Sequence, residues 1–404
     1  MTHIDSIKIK QEIPDVVNYI NDLFDNAIKD NVSDIHIETT KDFLIIRYRK
    51  DWDFTIHDKI SLEHVSTLVT RLKVLAKVKI DENKKPQDGK IVYNSEKEKE
   101  TIDIRVSTLP TIFWEKVVMR ILRQDESLIS LDSIWLHDIN LEKVKNVLKS
   151  KYGIILVAGP TGSWKSTTLF SILKDFNPLE YNISTLEDPV EYNIEYVNQS
   201  QIKPEIGYTF ASGLRSLVRQ DPDIIMVWEI RDKETALLSI EAALTWHLVL
   251  STIHTNSASA TIQRLINMWI EPFLIASALK MVISQRLIKK ICPHCKKVHH
   301  IDEILKSKVR KELSDIMEVD EINELQFYKW AGCSHCKHTG YSGRIWVHEV
   351  LVLWDYLEKS VLSMASSSEI HKVATKEWMI TILQDAIFKA ALWDTTLEEA
   401  LKLI

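Results

Sequence analysis

Residues 156–173 read LVAGPTGSWKSTTLFSIL, an apolar run, a turn of small residues, then Lys-Ser-Thr at the head of a helical pattern. In a loop of this kind, backbone N–H groups and a helix N-terminus surround phosphates, a lysine reaches the outer phosphate oxygens, and the following hydroxyl coordinates Mg²⁺. Gly159, Pro160, Thr161, Gly162, Ser163, Lys165, Ser166 and Thr167 supply these parts, with Ser166 placed to meet Mg²⁺ through a bound nucleotide. The pattern GxxxxGK[ST] breaks at one point: Trp164 stands where its second glycine belongs.

Other chemically capable residues follow at strand ends. STLEDPVEY sets Glu187, Asp188 and Glu191 after an apolar run, and RQDPDIIMVWEIRD ends another in Glu229, followed by Arg231 and Asp232. HLVLSTIHTN carries His247 before a strand pattern and His254 at its end. Open α/β sheets bind ligands beyond the carboxyl ends of their strands, so these groups are expected to converge with the loop on one sheet edge. Taken singly, a strand-end Glu is often just solvated and a histidine there is more often structural than catalytic; together with the phosphate loop, the set favours a site. The four cysteines form two CxxC pairs, Cys292 with Cys295 and Cys333 with Cys336. Four thiolates suit one tetrahedral Zn²⁺; the alternative is four free thiols, since cytosolic conditions disfavour a disulfide. His294 and His335 read as bystanders rather than ligands.

The elements that would position these groups fall into three regions. Up to about residue 125, helical stretches such as DVVNYINDLFDNAIKD mix with alternating runs such as SDIHIET and TIDIRVSTL, the pattern of a small α+β domain. A linker is expected over 126–140, then a parallel α/β core over 141–290, where GIILVAG, DIIMVWE and HLVLSTI alternate with helical segments. A tetracysteine insertion spans 291–340 and a helical region 341–404. At 404 residues the chain is too long for one ordinary core. Its net charge of -6 leaves no electrostatic footprint for bulk nucleic-acid binding. No apolar run nears the ~20 residues of a membrane span, and the polar start MTHIDSIKIKQEIPD does not read as a secretory signal. A cytoplasmic protein is expected.

The order of motifs resembles a known family. SDIHIE, KPQDGKI, IDIRVSTLPT, EKVVMRIL, GPTGSxKSTTL, TLEDPVEY, LRSLVRQDPDIIMVxEIRD, HLVLSTIHTNSA and QRLIKKICPHC look like the secretion-superfamily ATPases of type II secretion and type IV pilus assembly. The resemblance runs from about residue 13 to the C-terminus. It implies an N-terminal PAS-like domain joined to a RecA-like motor that binds ATP and Mg²⁺. It further implies a homo-hexamer at the inner face of the cytoplasmic membrane, docked on a polytopic platform protein. By the same resemblance, Glu187 to Glu191 form an Asp box, Glu229 ends the Walker B strand and His247 and His254 form a His box. The resemblance also implies that Arg105 and Arg120, at the positions of the family's N-terminal-domain arginines, approach the nucleotide's phosphates, where a structural ion-pair role is the alternative. The tetracysteine pairs favour an assembly or export motor over a retraction motor. The extra N-terminal domain that tethers many members is expected to be missing, so that docking would use the ring itself. A RecA-like nucleic-acid motor is the rival on fold grounds, disfavoured by the acidic balance.

Tryptophan and glycine usage is abnormal: twelve tryptophans accompany nine glycines, where a chain of this length ordinarily holds roughly 28 glycines. The family pattern carries glycine at Trp52, Trp114, Trp135, Trp164, Trp228, Trp246, Trp269, Trp346, Trp378 and Trp393, with Trp330 and Trp354 less clearly so. Independent substitutions would not all choose one replacement. Some bacterial lineages read the codon UGA as glycine while another genetic code reads it as tryptophan, so the inference is glycine at most of these sites in the cell. If the letters are literal, the indole at 164 obstructs the loop and the chain is a catalytically dead ring or scaffold subunit.

Overall fold

The computed structural model describes residues 8–50, 53–122, 130–190 and 192–403, so Trp52 and Glu191 lie outside the described residues. The chain divides into two compact units, 1–125 and 126–404.

The first unit holds strands β1 (Ile9–Lys10), β2 (Asp34–Thr39), β3 (Leu44–Lys50), β4 (Asp53–Ile60), β5 (Gln87–Ser95), β6 (Glu100–Pro110) and β7 (Glu115–Leu122), with helices α1 (Val16–Lys29) and α2 (Val65–Leu75). The sheet order is β1-β4-β3-β2-β7-β6-β5, antiparallel throughout except for the short β1. Asp15 starts α1 by accepting the N–H groups of Val17 and Asn18. Ile20, Leu23, Phe24, Ala27 and Ile28 then recur at helical spacing and are buried with Ile35, Ile37, Ile46, Ile104 and Met119 of the sheet.

The second unit opens with α3 (Asp138–Val147) and β8 (Gly153–Ala158), then α4 (Lys165–Leu173), β9 (Ile183–Glu187), β10 (Asn198–Gln201), α5 (Phe210–Leu217), β11 (Ile224–Val227), α6 (Lys233–Leu244) and β12 (Leu248–Ile253). It continues through α7 (Ala258–Asn267), α8 (Pro272–Ala278), β13 (Leu279–Ile291), β14 (Lys296–His299), α9 (Glu303–Leu313), α10 (Val319–Glu324), β15 (Phe327–Trp330) and β16 (Tyr341–Val352). Helices α11 (Asp355–Leu362), α12 (Ser367–Lys376), α13 (Ile382–Ala391) and α14 (Leu397–Leu401) close it. The main sheet runs β10-β9-β11-β12-β8-β13-β16, parallel but for β16. Its central strands are apolar on both faces, β8 for example: Ile155 and Val157 join one buried cluster with α4, Ile154, Leu156 and Ala158 another with α6 and α7. That double burial is what lets parallel strands read as continuous apolar runs.

Two boundaries differ from the sequence-based expectation. Leu131, Ile134 and Leu136, within the expected linker, are buried in the core of the second unit. Residues 341–352, expected in a helical region, are strand β16 of the main sheet. As the sheet's outer strand, β16 has exposed ladder groups, and α13 covers them: Asp385 accepts the His348 N–H and Lys389 donates to the Trp346 carbonyl, both at 2.7 Å. Asp385 and Lys389 are also paired with each other at 2.7 Å, so one buried ion pair serves the strand edge as well.

Candidate nucleotide site

The parallel strands deliver the polar residues to one edge. β8 ends at Ala158 and the loop 159–164 turns into α4; β9 ends in Glu187, β11 is followed by Trp228 and Glu229, and β12 by His254. His247 is the exception. It precedes β12 and its carbonyl accepts the Gly153 N–H at the start of β8, at the opposite edge, roughly 23 Å of extended strand from His254. The expectation that both histidines converge on the loop is corrected: the sequence motif joins them, the strand between them separates them.

Within the loop, the Ser163 hydroxyl donates to the Pro160 carbonyl at 2.9 Å, and Lys165 Nζ donates to the carbonyls of Gly159 and Pro160 at 3.1 and 3.2 Å. Burial lowers the Lys165 pKa, opposed by the charge of Glu229. Pro160, Thr161 and Gly162 are exposed at the tip, while Thr167 is buried in the first turn of α4. Glu229 bridges His254 Nε2 at 2.9 Å and Arg231 Nε at 2.7 Å. Burial, then the Lys165 charge, holds the His254 imidazole below its ordinary pKa. It is therefore neutral at pH 7, and its Nε2–H donates to Glu229. Glu187 is buried, and its Oε1 accepts from Thr185 Oγ1 at 2.6 Å and Gln199 Nε2 at 2.8 Å. Asp188 follows it, half-buried. Gln199 on β10 and Gln285 on β13 belong to this edge, and sequence reading missed both. Gln199 sits in none of the quoted motifs, and Gln285, though it opens the stretch QRLIKKICPHC, carries no chemical signature there; each reaches the site only through sheet pairing.

The family model described as Type II/IV secretion system protein matches residues 10–402. This chain belongs to that family. Its relatives include the type II secretion system ATPase E of Vibrio cholerae, 40% identical over 398 residues, spanning 98% of this chain and 77% of that protein. The type IV pilus assembly ATPase PilB of Thermus thermophilus is 41% identical over 384 residues, spanning 95% of this chain and 42% of that protein. Its fold is shared with the pilus retraction motor PilT with bound ADP (TM-score 0.66, 24% identity, 95% of this chain and 96% of that one). It is shared as well with the Yersinia pseudotuberculosis ATPase DotB (TM-score 0.71, 20% identity, 98% and 96%). The chain is a secretion-family ATPase.

In the first unit, this ATPase carries a transverse polar row. Arg49, Asp34, Arg120, Arg105 and Lys90 stand directly opposite one another across β3, β2, β7, β6 and β5. Arg120 is exposed and paired with Asp34 at 3.0 Å, whereas Arg105 is half-buried.

The four cysteines meet where β13 ends and before β16 begins. Their sulfurs all lie within 4.8 Å of one another. Three separations are 3.8, 3.8 and 3.7 Å, matching the edge of about 3.8 Å that a tetrahedron with Zn–S bonds near 2.3 Å requires. The N–H groups of Cys333 and Gly340 point at Cys336 Sγ. The donor set therefore fits zinc. His294 and His335 stack on each other at 4.1 Å beside the cluster rather than joining it.

Six tryptophans, Trp135, Trp164, Trp246, Trp269, Trp378 and Trp393, have φ between 57 and 71°, the left-handed region that favours glycine. Four of them follow helix ends closed by the same hydrogen bond, from Asp394 N to Lys389 O, Met379 N to Ala374 O, Ile270 N to Leu265 O and His247 N to Ala242 O. That is the helix-terminating arrangement in which the residue one past the cap is usually glycine. Trp330, Trp346, Trp354, Trp114 and Trp228 are not in the left-handed region. Trp228 bears on chemistry in another way: its Nε1–H donates to Ser166 Oγ at 2.9 Å, engaging the hydroxyl that the loop would offer to Mg²⁺.

Proposed function

We propose that this chain is an ATP-hydrolysing motor for type IV pilus assembly or type II protein secretion. On this reading it works as a homo-hexamer on the cytoplasmic face of the inner membrane, driving a platform protein there. The observation that carries the reading is the single sheet edge on which the phosphate loop, Glu187, Glu229 and His254 meet. Among the described residues no helix is long and apolar enough to cross a membrane.

At this edge the loop amides from Gly159 to Ser163 and the α4 N-terminus bind the phosphates, and Lys165 neutralises their outer oxygens. Ser166 holds Mg²⁺, while Thr167 closes the first helical turn. Mg²⁺ supplies charge neutralisation of the transferring phosphoryl group. Glu229 orients the attacking water, His254 holds Glu229, and Glu187 and Asp188 supply further acidic groups at this edge, with Glu191 the third member of the Asp box by sequence. Arg105 and Arg120, on the N-terminal unit read as PAS-like, bring positive charge to the phosphates as the ring closes. Cys292, Cys295, Cys333 and Cys336 hold a closed structural zinc. The sites written as tryptophan in the left-handed region, with Trp228, are glycine in the native protein; the six positive φ values and the Trp228 contact to Ser166 support this.

That same contact favours one second reading. With indoles at 164 and 228, Ser166 is engaged and the loop crowded, and the chain becomes a non-hydrolysing ring subunit. Turnover and binding in Arg105→Ala and Arg120→Ala separate motor from structural roles for the arginines. The motor reading expects turnover to fall by about 10³-fold, the scale of a delivered arginine, with ADP affinity nearly kept. Equal losses of both would contradict it.

A further inference from the structure

Gln285, in the middle of β13, is fully buried. Its Nε2 donates to the Ser163 carbonyl at 2.5 Å, and its Oε1 accepts from Thr168 Oγ1 at 2.7 Å. One side-chain amide thus ties the last turn of the loop to the first turn of α4. Its backbone is equally close: a Cβ on Gly159 would lie 2.6 Å from the Gln285 carbonyl oxygen, so only glycine lets the loop start against this strand.

A trans peptide sets its C=O and N–H on opposite sides. Since the Ser163 carbonyl turns toward Gln285, the N–H of residue 164 must point away from β13. Gly162 at φ 78° and residue 164 at φ 62° flank Ser163, and such alternation gathers successive N–H groups into an anion-binding concavity. We propose that Gln285 is a positioning residue for ATP hydrolysis: it fixes the 163–164 peptide so that the residue 164 N–H faces the nucleotide's phosphates. The inference rests on the phosphate-loop reading above. Glutamine suits the task because it meets a carbonyl and a hydroxyl at once. Glutamate has no donor for Ser163, asparagine is one methylene short, and leucine offers neither bond.

ADP affinity, turnover at saturating ATP and the nucleotide-free melting temperature of the full chain test this, with Lys165→Ala as the control. Gln285→Leu leaves a buried carbonyl and hydroxyl unmet, so ADP affinity is expected to fall about tenfold, and turnover with it. Thr168→Val cuts the same bridge from the other end. It should weaken ADP binding by roughly threefold alone and add little to Gln285→Leu, because the two share one interaction. ADP affinity unchanged in Gln285→Leu overturns the inference. If Gln285→Leu lowers melting temperature and affinity together, Thr168→Val decides: a threefold loss at unchanged melting temperature supports the positioning role, and no loss overturns it. If Lys165→Ala also binds ADP normally, the phosphate-loop reading itself fails, and this inference with it.

Discussion

Glu229 is held from two sides, by His254 and Arg231, and this arrangement gives the site its pH dependence. The His254 pKa is depressed in the folded chain by burial and by Lys165. Its neutral form is the native one, and the contribution it makes is lost as pH falls below the ordinary imidazole value of about 6.5. The acid limb of turnover is expected below that pH, and His254→Asn, which cannot titrate, should flatten it; an unchanged limb would remove His254 from the site. Glu229→Gln keeps a hydrogen-bonding shape but loses the charge, and turnover should drop by about 10²-fold or more while ATP still binds. The phosphate loop, Glu229 and the cysteine pairs were legible in sequence because each is a local pattern. Gln199 and Gln285 were not, because their roles arise from strand pairing between distant segments. His247 misled for the complementary reason: nearness in sequence across an extended strand is distance in space.

Helix ends carry the case for glycine at the element scale. Trp246, Trp269, Trp378 and Trp393 are half or more exposed, the most open of them 80%, so their indoles gain little burial to offset a left-handed backbone that costs about 1–2 kcal/mol. Trp378→Gly and Trp393→Gly should therefore leave the melting temperature of the tryptophan-bearing chain unchanged or higher. Glycine inside α12, at Ala374, should instead cost about 1 kcal/mol or more. Destabilisation by all these substitutions alike would count against the glycine reading. The helices were read correctly where the helical period dominated, and the parallel strands where a short unbroken apolar run was bounded by turn residues. Strand β16 was missed because its last eight residues are buried on both faces and show no alternation to distinguish strand from helix. Its cover by Asp385 and Lys389 lies some forty residues further on, beyond any local signal. The cluster at the end of β13 should hold about one zinc per chain. Elemental analysis of protein prepared without added metal checks this, and its absence would return the cysteines to free thiols.

At the scale of the whole molecule, two kinds of observation agree on a family ATPase: motifs in order along nearly the entire chain, and a parallel sheet that brings most of them to one edge. Intact mass of the protein from its own cells should fall below that of the written sequence by an indolylmethyl group, less a hydrogen, for each glycine read as tryptophan. A native peptide carrying tryptophan at residue 164 would reverse that assignment. The central claim is hydrolysis at this edge, and steady-state release of phosphate from Mg²⁺-ATP by the native protein, beside Lys165→Ala, tests it most directly. The account predicts turnover by the native chain and a loss of about 10²-fold or more in the variant. No turnover by the native chain, or turnover that survives the loss of Lys165, would contradict it.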